Sequence, residues 1–298
     1  MRLPAPAVYF PPARGRYVTT PDLLPLSTDF GNGPLDACLF QFDTEFLRFR
    51  QSKLDALSSH PKRHFLTDGF DPETERAVCE RLAERLEGEW PTFFAREGGS
   101  LLCNLTGERG PLTLRWLCEQ VQEDLVVVRR TPERGEWNAA LHVCAPSHWR
   151  PEEKIGKGYA DTHAPVPGIE RQKSAAPALV DVLVNRGPFV RFTWGIAFDG
   201  NLNQHPDLGK SPFDLENLFF RVERQTLLPL PELDAFVFGI RLYVTPLREL
   251  APEKQTLLAE ALQSMSPDAR AYKGIARRFD AILGRVRPYA PRATPPAL

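Results

Sequence analysis

No run of about 18 apolar residues occurs anywhere in the sequence, so no membrane-spanning helix is expected. The opening residues, Met1 to Pro12, hold no apolar stretch of signal-peptide length, and the expectation is a cytoplasmic chain. Paired cysteines are missing too. Cys38, Cys79, Cys103, Cys118 and Cys144 are odd in number and form no CxxC, which argues for reduced thiols rather than a disulfide framework. Charge of one sign does not dominate: 37 Lys and Arg against 38 Asp and Glu give a net charge of −1. A broad basic surface for nucleic acid is therefore not expected. No GxGxxG follows a strand and no P-loop occurs, so nucleotide folds have no support. No GxSxG elbow supports a Ser-His-Asp hydrolase. There is no internal repeat.

What the chain does have is the composition of a soluble globular protein, 42% hydrophobic and 25% charged over 298 residues. Its 29 prolines are spread rather than clustered and mark stiff connections. Residues 1–34 read as an extended Pro-rich arm, 35–287 as a single domain and 288–298 as a frayed tail. Leu35 to Leu57 has helical spacing through Leu39, Phe42, Phe46, Phe49 and Leu54. Asp71 as N-cap and Pro72 at the first position start a helix with Val78, Leu82, Leu86, Trp90 and Phe93 on one face; Pro91 ends it. Pro111 opens another helix. Leu125–Val128 and Trp137–Val143 read as a hairpin, followed by a helix over Ile169–Val184. Phe189–Ile196, Leu218–Leu227 and Ala235–Thr245 are strands, and helices follow from Pro252. Five strands pairing mainly as neighbours predict an α+β fold with an antiparallel sheet.

The stretch from Lys154 to Gly168 organises this reading. A Gly-punctuated basic turn leads to His163, and Ala164-Pro165-Val166-Pro167-Gly168 follows. The prolines fix φ and push Ala164 and Val166 towards extended geometry, so the imidazole sits on a stiff segment suited to a ligand. A structural loop with a hydrogen-bonded histidine is the competing reading. His142, Cys144 and His148 form a partial metal set that lacks a fourth ligand. Arg221 to Thr226 places charged groups on both faces of a strand. Either they are paired or functional, or the strand lies at an edge.

Several strings, taken together and in order, resemble the α subunit of heme-dependent oxidative N-demethylase. They are Gln122-Glu123-Asp124-Leu125, Trp149 with Glu153 to Lys157, His163 to Gly168, Arg191 to Trp194, Val222 to Leu227 with Leu230-Pro231, and Tyr272-Lys273-Gly274. The resemblance runs from about residue 35 to 275. It implies a PAS-like heme domain with additional N- and C-terminal helices, an O2-using monooxygenase acting on a small secondary amine such as dimethylamine, and electrons from separate flavin and iron–sulfur reductase subunits. No CxxCH is present, so the cofactor implied is heme b. His163 matches the motif's iron ligand. Lys154, Lys157 and Arg191 are candidates to pair with the propionates. Glu223 is the candidate counter-ion for a cationic amine, and Arg224 or Thr226 the donor to oxygen as it gains charge. On a regular strand Glu223 and Arg224 face opposite ways, so both reach one pocket only through a bulge. Thr193 stands where relatives are expected to carry Asn, which bears on substrate choice. A heme-PAS gas or redox sensor without turnover is the alternative; the chain shows no output domain.

Overall fold

Asp71 and Pro72 begin the longest helix, as the spacing predicts. The Asp71 carboxylate accepts from the Thr74 backbone N–H at 2.8 Å, and the helix runs Pro72–Glu89, ending before Pro91. Val78, Leu82 and Leu86 are wholly buried along it. The computed structural model describes residues 2–19 and 22–286, apart from the side chains of 171 and 172. The expected frayed tail, 288–298, lies outside the described residues.

Ten strands form among these residues: β1 Leu24–Pro25, β2 Phe65–Thr67, β3 Phe94–Glu97, β4 Ser100–Cys103, β5 Glu108–Pro111, β6 Asp124–Thr131, β7 Gly135–His142, β8 Phe189–Ala197, β9 Phe219–Leu230 and β10 Ala235–Pro246. Seven make one sheet in the order β1-β8-β9-β10-β6-β7-β2, and β3-β4-β5 make a small second sheet. Every pairing is antiparallel. The architecture is α+β with a large antiparallel sheet.

The sheet has two unlike faces. On one, Leu125, Val127, Leu228 and Val237 pack against Val78, Leu82 and Leu86 of the long helix and Leu114 and Leu117 of helix Leu114–Glu119. Further along that face, Trp194, Phe220, Val222 and Tyr243 pack against Leu258 and Leu262 of helix Pro252–Gln263. The Pro-rich arm joins this core through Ala7 and Tyr9, both buried. On the other face, helix Ala176–Asn185 covers one end through Val180, Leu183 and Val184 against Leu227 and Phe236.

Three helix expectations differ. The helix expected over Ile169–Val184 is two, Glu170–Lys173 and Ala176–Asn185. Leu35 to Leu57 is not continuous: a 3-10 turn spans Gly33–Ala37 and the helix begins only at Phe46. Between them the backbone N–H groups of Leu39 and Phe40 donate to the Glu89 carboxylate, and those of Gln41 and Asp43 to the side chains of Glu123 and Gln122. Side chains from elsewhere take donors that a helix would have used. Pro111 ends β5 instead of opening a helix; Thr113 is the cap, and the helix starts at Leu114.

Candidate functional site

Register alone assembles the site. Thr193 pairs with Glu223 and Arg191 with Gln225 across β8 and β9; Leu242 and Ile240 lie opposite these on β10. Arg191, Thr193, Glu223, Gln225, Ile240 and Phe238 therefore share the face that helix Ala176–Asn185 covers only at one end. In the middle of a seven-stranded sheet such positions are ordinarily sealed. Here Arg191, Thr193, Glu223 and Phe238 are all partly open.

The loop bearing His163 closes over this face. β6 and β7 slip by one residue between Val127 and Val128, which pairs Asn138 with Val128 and turns its side chain onto the open face. Asn138 then holds the loop. Its amide donates to the Lys154 carbonyl at 2.8 Å and to the Thr162 hydroxyl at 2.9 Å. Its backbone N–H donates to the Lys157 carbonyl, and its carbonyl accepts from the Gly156 N–H. A short helix, Tyr159–Thr162, follows and His163 caps it.

His163 Nδ1 lies 2.8 Å from the Tyr159 carbonyl, an acceptor only, so Nδ1 carries the proton. Nε2 keeps its lone pair and has no hydrogen-bond partner among the described residues. The ring packs on Tyr159, centroids 4.3 Å apart. Burial, with the charges of Arg191 and Lys154, lowers its pKa and keeps the imidazole neutral. A neutral imidazole, fixed by a backbone carbonyl and open at Nε2, is the arrangement of a metal ligand.

Arg191 is the other unusual group. Its Nε is buried without a partner, and its guanidinium makes no hydrogen bond or ion pair among the described residues. Burial pulls its pKa down, while Tyr159 and Glu223 oppose that. Lys273 reaches in from the end of helix Pro267–Tyr272 and donates to the Thr193 hydroxyl at 3.2 Å. Burial lowers its pKa as well; the charge of Glu223 works against this and that of Arg191 adds to it. Glu223 accepts from Ser147 through Oε1 and from Gln225 through Oε2, at 2.5 and 2.8 Å.

The remaining sequence candidates fall elsewhere. Arg224 and Thr226 point to the opposite face. Arg224 is fully buried and donates to the carbonyls of Asp36, Cys38 and Leu39. Thr226 lies against Gly239 on that same side. No bulge in β9 brings them round, since β9 stays in register with both neighbours throughout. Lys154 spends its ammonium on the Thr162 carbonyl, and Lys157 is exposed. His142 and Cys144 are buried together with Asp124 in place of His148, and the Lys53 ammonium stands 3.7 Å from that carboxylate. His148 instead lines a separate cavity of about 340 Å³. His205 is held by Glu152 and His64 by the Val143 carbonyl.

Lys273 and Ser147 are site residues that sequence reasoning did not assign. Lys273 belongs to Tyr272-Lys273-Gly274, which carries part of the resemblance but implies no role for it. Ser147 carried no signal at all. Gln122, Glu123 and Asp124 prove architectural. The first two hold the 41–43 segment, and Asp124 accepts from the Ala145 N–H at 2.7 Å.

The pattern of the family described as "Haem-dependent oxidative N-demethylase, alpha subunit-like" matches residues 35–283. The chain belongs to that family. The description implies a heme cofactor, an oxidoreductase activity and other subunits. Among the described residues no helix is long and apolar enough to cross a membrane.

Proposed function

We propose that this chain binds heme b between the His163 loop and the open sheet face, within a PAS-like fold, and carries out oxidative N-demethylation of a small secondary amine such as dimethylamine. The observation that carries the reading is His163. Its proton is committed to the Tyr159 carbonyl, and its other nitrogen, without a partner among the described residues, belongs to a loop covering a part of the sheet face left partly open.

The residues present fit the group. Nε2 of His163 would hold the heme iron. Phe238 and Val128 supply apolar surface. Arg191, half-buried with its Nε sealed and no partner among the described residues, suits a propionate carboxylate, which would relieve a costly charge. Lys154 and Lys157 have weaker claims, the first being engaged and the second facing solvent. Heme held here supplies the iron that activates O2 towards an N-methyl group.

The sheet supplies the rest. A small secondary amine is cationic in water and enters a buried site only against a counter-charge. Glu223 provides it, with both oxygens fixed by donors. Lys273 and Thr193 form a donor pair on the same face, suited to stabilising negative charge that develops on oxygen. They replace Arg224 and Thr226 in this role. Electrons come from flavin and iron–sulfur subunits, and the chain works in the cytoplasm.

The test is reconstitution. Heme-loaded protein should show a Soret band at one heme per chain. With NADPH and reductase subunits it should release formaldehyde from dimethylamine within an amine panel. No Soret band removes the reading. A Soret band and tight O2 binding without turnover of any amine would make the chain a heme sensor instead.

A further inference from the structure

Ser147 has one proton to give and one place to give it. Its hydroxyl oxygen lies 2.9 Å from Nε of Arg221 and 2.5 Å from Oε1 of Glu223. A guanidinium nitrogen only donates, so the hydroxyl accepts from Arg221 and its own proton goes to the Glu223 carboxylate. Chemistry fixes the direction of both bonds.

Arg221 is itself immobilised. It is 4% exposed, and its other nitrogens donate to the carbonyls of Asn201, Ala145 and Leu202 at 2.9, 3.1 and 2.7 Å. To turn away from Ser147 it would have to abandon three carbonyl acceptors, two of them in buried bonds. His148, next in the chain, has a φ of 62°, in the left-handed region, so the backbone turns sharply just after Ser147. On the far side Gln225 Nε2 holds Oε2 of Glu223 at 2.8 Å. Each carboxylate oxygen has two lone-pair directions, so one on each is left for a ligand.

We infer that Ser147, held by Arg221, is a positioning residue that fixes the Glu223 carboxylate to receive the ammonium group of the substrate. The inference rests on Glu223 as the amine's counter-ion, and it assigns Ser147 no contact with substrate. Its chemistry is general: a carboxylate between two fixed donors cannot rotate, so binding an amine costs no reordering.

The experiment uses the heme-loaded full chain and dimethylamine, followed by the change in its visible spectrum. Ser147→Ala should weaken amine binding about tenfold, the order of one hydrogen bond to a charged group. Affinity for free imidazole or carbon monoxide, which read the iron alone, should stay within about twofold of wild type. Ser147→Thr keeps the hydroxyl and should restore amine binding. An infrared difference between Ser147→Ala and wild type, with Glu223→Gln to assign the band, should show the Glu223 carboxylate stretch displaced even without heme. If Ser147→Ala binds amine like wild type, or Ser147→Thr is as weak as Ser147→Ala, the inference fails and the proposed function stands. If wild type responds to no amine, both fail.

Discussion

Glu223 and Arg224 are consecutive residues whose charged groups lie on opposite sides of one sheet. Glu223 sits on the partly open face between Ser147 and Gln225; Arg224 is sealed behind it among the carbonyls of Asp36, Cys38 and Leu39. Their replacements should therefore separate. Arg224→Met should lower stability by about 3 kcal/mol, because it leaves buried carbonyls without a donor. It should leave the heme spectrum and the amine response intact. Glu223→Gln should keep wild-type stability within about 0.5 kcal/mol and lose most of the amine response. Urea denaturation and amine titration of the heme-loaded chain check both.

Replacing His163 by Ala removes the nitrogen proposed to ligate iron over this face. The loop should survive, since Asn138 holds it through contacts that do not involve the imidazole. The expected protein is folded, loads heme weakly, shows a moved Soret band and has little activity. Free imidazole should partly restore the spectrum. His148→Ala should leave it unchanged. A wild-type spectrum in His163→Ala would refute the assignment.

How legible the site was depends on what each residue does with its neighbours. The strands of the large sheet from β6 onward, and the long helix, could be read because their periodicity and caps are local properties. The 33–45 segment could not, because Glu89, Gln122 and Glu123 take its backbone donors from far away in sequence. The prolines marked the loop after His163 as stiff, but the commitment of its Nδ1 to the Tyr159 carbonyl left no mark in the sequence. Alternation along β9 already separated Glu223 from Arg224; only the unbroken register of both neighbouring strands removed the bulge that would have reunited them. Lys273 and Ser147 come from segments whose approach to β8 and β9 leaves no mark in spacing. The small sheet was missed because strands of four residues carry too little alternation to be seen.

Arg191 should behave in opposite ways with and without heme. Its half-buried guanidinium has no partner among the described residues, and its Nε is sealed from water. Arg191→Leu should therefore leave the heme-free chain as stable as wild type or more so, by up to about 2 kcal/mol. Heme should escape about tenfold faster, the order of one lost ionic hydrogen bond. Transfer to an apo-globin acceptor measures the second effect and thermal melting the first. Lys157→Ala should change neither.

Acid should find the buried histidines. His142 is driven well below its usual pKa by burial, with Lys53 adding to the effect, and burial lowers His64 and His163 too. In each case the folded pKa lies below the unfolded value of about 6.5, so the unfolded chain takes the proton first. Stability present above about pH 6.5 is then lost as pH falls below it. Glu123 and Asp124, raised by burial, act in the opposite sense. His142→Phe isolates the imidazole: its urea midpoint should fall less steeply between about pH 6.5 and 5 than that of wild type. An equal slope would place the loss elsewhere.

The single-residue slip between β6 and β7 makes Asn138 a vernier. Four bonds run from this one residue to Lys154, Gly156, Lys157 and Thr162, and the next residue after Thr162 is His163. The height of the imidazole above the sheet is thus read off the strand itself, through one asparagine, and not from the length of the loop. Drift in the loop's sequence can be absorbed without moving the imidazole. A change of a single residue at the slip would carry the imidazole along with it.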